Sequence, residues 1–185
     1  IFTASGAVFV YATTEPTEAL LLGGNTATLH QGRLTQLGQT LDVYRHPQTL
    51  TTAQVFSDPP MNILSVIKQA QQLKTRQGQV ILCPTSLQTL PDAHYTLGFR
   101  ANHLTLQATS SQALAFQAHV KVVEMSGSES FIHLTHDEQR WVALVAGIHD
   151  LPLGSTLTLY VEPQQVYCFN AQGERMSNAL LAQAA

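Results

Sequence analysis

A mainly β fold, preceded by a small α/β segment, is what this sequence predicts. Two observations carry that prediction. After Pro59-Pro60, short apolar runs recur with turn-forming residues between them, the pattern of a small barrel or sandwich. Before Pro59, a continuous apolar run is followed by helix-start and helix-stop signals.

The run from Gly6 to Ala12 reads as a strand buried on both faces, as in a parallel sheet. Pro16 suits the first turn of a helix, Glu18 favours the same end, and Gly23-Gly24 stops it. Thr26 to Leu37 reads as a hairpin turning at Gln31-Gly32. Leu41 to Tyr44 and Leu50 to Phe56 read as two short helical pieces around Pro47. These elements are too few to cover a parallel strand on both faces. The missing neighbours are expected upstream. Residues 1–58 are therefore expected to be an incomplete α/β domain, and residues 59–185 a separate β domain.

In the β region the predicted strands are Gln79–Cys83, Tyr95–Phe99, Phe116–Glu124, Phe131–Thr135, Trp141–Val145, Thr156–Val161 and Gln165–Phe169. Phe116, Ala118, Val120 and Val122 alternate with Gln117, His119 and Lys121, as a half-buried strand requires. Turns are expected at Ser126-Gly127-Ser128, His136-Asp137-Glu138 and Pro152-Leu153-Gly154. From Ile63 to Leu73 the apolar residues fit helical spacing, and periodicity leaves helix and strand open.

Composition narrows the function. Hydrophobic residues make up 44%, enough for a packed core. Charged residues are only 11%, well below the usual quarter, and the formal charge is -3. With nine Lys and Arg and no basic–aromatic stripe, nucleic-acid binding is not expected. No apolar run is long enough to span a bilayer, and residues 1–12 lack the basic start of a signal peptide. Cys83 and Cys168 sit in apolar β-like runs. They read as buried free thiols, although their spacing leaves a disulfide open.

Several residues invite a chemical role. His133 and His136 are three apart, a spacing that gathers ligands on a helix but not at a strand end, so no metal site is expected. His103 reads as a packing residue. Arg100 ends an apolar strand and needs a carboxylate or carbonyl partner if buried; Glu129 and Glu162 are the candidate acids. Trp141 reads as barrel core, and Ser128-Glu129 as turn chemistry. No nucleophile–base pair stands out, which argues against an independent enzyme.

The run Leu34-Thr35-Gln36-Leu37-Gly38-Gln39-Thr40-Leu41-Asp42-Val43-Tyr44-Arg45-His46-Pro47, followed by Pro59-Pro60-Met61-Asn62, resembles a known pattern. In ATPase subunits of ABC importers of the sugar and polyol type, I-x-Q-x-G-T-P-x-E-I-Y-x-x-P is followed by P-x-M-N. Tyr95 to Leu104 resembles that family's V-x-L-G-V-R-P-E-H-L, and Val122 to Glu129 its V-E-x-L-G-S-E. Leu153-Gly154-Ser155 with Val161-Glu162-Pro163 resembles its closing strands. The resemblance covers nearly the whole chain. It implies extended structure from Ile63 to Leu73 and an OB-fold-like barrel, the TOBE regulatory domain, over residues 59–185. Residues 1–58 would be the end of a nucleotide-binding domain.

The same family carries a switch motif, V-T-H-D-Q-x-E-A, and here the matching run is Ala12-Thr13-Thr14-Glu15-Pro16-Thr17-Glu18-Ala19. Thr14 stands where the family has its switch histidine. Imidazole can reach and donate where threonine cannot, and a hydroxyl is no general acid or base near neutral pH. One reading is a degenerate half-site that works beside an intact second subunit; a second, compatible with the first, is that Thr14 caps the helix beginning at Pro16, which would explain why threonine is tolerated once catalysis is lost.

The sequence contains no G-x-x-x-x-G-K-[ST] loop, signature motif or catalytic acid of the family. No catalysis, cofactor site or metal site is therefore expected in this chain itself. ATP and magnesium would belong to the full-length parent. The implied function is the regulatory and dimerisation portion of an ATP-binding subunit that powers import of a sugar, polyol or glycerol-type solute. Its partners would be a second ATPase subunit, the same or homologous, and the importer's permease subunits. Its place would be cytoplasmic, peripheral on the inner face of the cell membrane. The alternative is a domain that senses a small ligand or regulatory protein.

Overall fold

The computed structural model describes residues 8–176. The lead-in segment begins with helix α1, Pro16–Leu22, which has Pro16 in its first turn and ends where Gly23 and Gly24 take φ of 68° and 73°. Strands β1 (Asn25–His30) and β2 (Arg33–Gln39) form an antiparallel hairpin. Its turn places Gln31 and Gly32 at φ 50° and 74°, the left-handed pair that matches strand twist. Helices α2 (Thr40–Arg45) and α3 (Leu50–Val55) follow on either side of Pro47. Thr49 caps α3, its hydroxyl accepting from the Thr52 amide at 3.1 Å.

The strand expected from Gly6 to Ala12 is corrected in its described part. Gly6 and Ala7 lie outside the described residues. Residues 8–12 join no sheet, and Val8 and Val10 are 93% and 94% exposed. An apolar run becomes a strand only when neighbouring strands satisfy its backbone, and no strand among the described residues pairs with this one.

The β region contains two antiparallel sheets. Strands β3 (Asn62–Gln69), β4 (Gln72–Thr75), β5 (Val80–Leu82), β6 (His94–Phe99) and β11 (Tyr167–Phe169) form one, in the order β11-β6-β3-β4-β5. Strands β7 (Leu114–Met125), β8 (Glu129–His136), β9 (Gln139–Ala146) and β10 (Thr156–Val161) form the other, in the order β10-β7-β8-β9. The fold is mainly β, an OB-like barrel preceded by a small α/β segment, as the sequence predicts. The Ile63–Leu73 stretch is extended, interrupted by a turn at Ala70 (φ 49°). The last expected strand starts at Tyr167, because Pro163 to Gln165 form a single 3₁₀ turn instead.

One side-chain assignment reverses. The β7–β8 pairing slips between Val120 and Val122, a β-bulge at Lys121. A bulge exchanges the faces of every residue beyond it. Val122 is therefore 48% exposed and Val123 packs on the core instead.

Side chains from both sheets fill one core. Trp141 lies at its centre, 1% exposed, edge-on to Phe99 at 4.9 Å and Phe116 at 5.4 Å, and tilted on His136 at 4.3 Å. Its indole N–H donates to the Ile63 carbonyl across the sheets at 3.0 Å. Asn62 joins β3 to β9 by imitating a strand. Its side-chain amide donates to the Val142 carbonyl at 2.8 Å, and its side-chain oxygen accepts from the Val142 amide at 2.7 Å. This gives the asparagine of the Pro-Met-Asn run a physical task. Gly98 on β6 has a similar explanation: a Cβ there would lie 2.8 Å from the Met61 sulfur and 3.2 Å from the Phe169 ring.

Candidate functional site

The switch-equivalent run lies at the start of α1. Thr14 is exposed and makes no side-chain hydrogen bond among the described residues. The helix-capping reading of Thr14 is corrected: Glu15 is the cap residue and no side chain bonds into the first turn from that position. Thr13 takes the local role, its hydroxyl bonding the Glu18 carboxylate and accepting from the Glu15 amide at 2.9 Å. Tyr11 donates to Glu18 as well, at 3.2 Å. Thr13 and Tyr11, not Thr14, are the side chains of this run that meet Glu18.

The most constrained polar side chain is Arg100, which immediately follows β6. It is 3% exposed. Its guanidinium donates to the Tyr44 carbonyl at 2.6 Å, the Phe56 carbonyl at 2.7 Å and the Ser57 hydroxyl at 2.5 Å. It also stacks over the Tyr44 ring, 3.7 Å from the centroid. The expected acid partners are thus corrected. Glu162 bonds Thr109 and Ser110 instead, which holds its carboxyl below the usual carboxylate range. Carbonyls win because α2 and α3 end at this point, and a short helix leaves its last carbonyls free.

More bonds tie the lead-in segment to the β region. The Leu50 amide donates to the Gly173 carbonyl at 2.7 Å, and the Arg175 amide to the Gln48 carbonyl at 2.8 Å. Ala53, Met61 and Phe169 form a small apolar cluster between the two parts. Within the lead-in segment, Thr28, Thr35 and Thr52 hydroxyls link the hairpin to α3 at 2.8 Å and 3.1 Å. Only Arg100 in this joint was legible as needing a partner; the threonine chain gave no sequence signal.

The histidines are spread out. His136 is buried with Nδ1 2.7 Å from the Gln117 carbonyl, and His133 lies 3.3 Å from Glu124. His103 is half-buried, with Nδ1 3.2 Å from the Gln165 carbonyl. Burial, then the charge of Arg100, holds its imidazole below the usual value. Among the described residues no group of three metal-ligating side chains comes together. Cys83 and Cys168 are buried free thiols. Burial pushes Cys168 up to about 12, so it stays protonated at neutral pH. A trough of about 710 Å³ crosses the β7–β10 sheet, lined by Gln79, Gln117, His119, Thr135, Asp137 and Thr158 among others. Its lining includes the titratable groups His119, His136, Asp137 and Glu138 and, among the described residues, no lysine or arginine.

Residues 97–169 match the family model of the TOBE domain. The chain as a whole is similar to ATP-binding subunits of ABC importers, as its motifs suggest. It is 29% identical over 90% of its length to a sn-glycerol-3-phosphate import ATP-binding protein of Rhizobium johnstonii, covering 45% of that protein. It is 28% identical over 92% of its length to the corresponding protein of Vibrio cholerae, covering 46% of it. A xylose/arabinose import ATP-binding protein of Haloferax volcanii is 28% identical over 94% of this chain and 47% of its own length. The chain spans about half the length of these relatives. The cytoplasmic molybdate-binding protein ModG has a TM-score of 0.42 at 11% identity, over 58% of this chain and 94% of its own. No helix among the described residues is long and apolar enough to cross a membrane.

Proposed function

We propose that this chain is the C-terminal regulatory and dimerisation portion of an ABC importer's ATP-binding subunit. Residues 1–58 are the end of the nucleotide-binding domain, and residues 59–185 the TOBE domain. The observation that carries this reading is the similarity to import ATP-binding proteins over nine tenths of the chain, spanning both parts. A TOBE match alone would leave the lead-in segment unexplained.

The parent hydrolyses ATP with magnesium and drives import of a sugar, polyol or glycerol-type solute. It works on the cytoplasmic face of the membrane with permease subunits and a second ATPase subunit. The catalytic groups lie outside this chain. Phosphoryl transfer depends on positioning and charge stabilisation, and Thr14 supplies neither at the switch position. Thr14 marks a degenerate half-site that relies on its partner.

ATPase turnover of the full-length parent tests this, measured alone, with its partner subunit, and with Thr14→His. Low turnover alone, raised by the partner or by histidine, is expected. Full turnover alone, unchanged by Thr14→His, would show that another residue fills the switch role.

A further inference from the structure

We infer that Arg100 locks residues 25–57 and the β domain into one mechanical body, so that a displacement of either is passed to the other without bending between them. The argument starts from charge. A buried cation needs compensation. Among the described residues, the acid pairs are Lys68 with Asp92 and His133 with Glu124; neither involves Arg100. Its charge is met instead by oxygens of Tyr44, Phe56 and Ser57 and by the Tyr44 ring.

Those acceptors come from two elements, the ends of α2 and α3. Helix carbonyls there carry the negative end of the helix dipole. Both ends must be in place at once for the two terminal guanidinium nitrogens to find their acceptors; Nε is buried without a partner among the described residues. A shift of about 1 Å in either would stretch these hydrogen bonds beyond useful geometry. The joint is therefore all-or-none: docked or released, with no favourable arrangement between. The Gly173–Leu50 and Gln48–Arg175 backbone bonds complete the docked state. The linked threonine hydroxyls extend it to the hairpin.

For the parent, the source of the displacement rests on the function proposed above: nucleotide-driven movement would reach the barrel through this joint. The joint itself is tested without that assumption. Amide hydrogen exchange is compared in this chain, in Arg100→Met and in Tyr44→Leu. The Ala53 and Phe56 amides, bonded within α3, report the lead-in segment; the Ile132, Leu134 and Ala143 amides report the β8–β9 core. Arg100→Met should speed exchange at Ala53 and Phe56 by about tenfold or more, with the core amides unchanged. Tyr44→Leu should do the same to a smaller degree. Equal acceleration in both sets would make Arg100 a general stability residue and overturn the proposal. Unchanged exchange at Ala53 and Phe56 would overturn it too, leaving the backbone bonds as the fastening. A parent without nucleotide-dependent activity would remove the functional reading and leave the exchange result standing.

Discussion

Gly98 and His103 show how single residues in one motif serve different physical ends. Gly98 lies where β6 passes under Met61 and Phe169, with no room for a methyl group. Gly98→Ala should destabilise the chain by about 1–3 kcal/mol through overpacking, seen as a lower urea midpoint at unchanged slope. A midpoint equal to the parent chain's would mean Met61 swings aside freely. His103 makes stability depend on pH. Its folded pKa lies below the ordinary 6.5 because burial, then Arg100, disfavours the imidazolium. Above pH 6.5 both folded and unfolded chains carry it neutral and no penalty arises. As pH falls through 6.5 toward the lower folded value, the unfolded chain takes the proton first and stability drops. Thermal melts in steps below pH 6.5 should show this fall, reduced in His103→Gln. Identical slopes in both proteins would assign the fall to other groups.

At the scale of elements, the informative events are a bulge and a borrowed strand contact. The period-2 pattern of Phe116, Ala118 and Val120 fixes the first half of β7. A bulge is invisible to that pattern, since it is set by how β8 pairs; Val122 and Val123 therefore exchange faces. Asn62 bridges β3 and β9 by side chain where no backbone ladder joins them. Asn62→Ala would leave the half-buried N–H and carbonyl of Val142 without their partner. The expected loss is about 2–4 kcal/mol in denaturant unfolding. A loss near zero would mean that water replaces the amide, or that the Trp141–Ile63 bond suffices to hold the sheets together.

Across the whole molecule, two parts with different sequence characters share one fastening. The boundary at Pro59-Pro60 separates compositions, yet bonds through Arg100, Gly173 and Arg175 cross it. The exposed Val8, Val10, Leu21 and Leu34 lie on the lead-in side, whereas Trp141, Phe99 and Phe116 are enclosed in the barrel. The sequence by itself determined the strand-rich class, most strand positions, the hairpin at Gln31-Gly32 and the buried thiols, because alternation, glycine and turn residues act locally. Its ordered motifs also determined the importer resemblance. Only the tertiary structure decided that Arg100 takes helix-end carbonyls instead of Glu129 or Glu162. It alone decided that Thr13 takes the local hydrogen bond in place of Thr14, and that Asn62 closes the barrel. Such pairings join residues dozens of positions apart, and no local pattern encodes which of several acceptors will be nearest once the chain has folded.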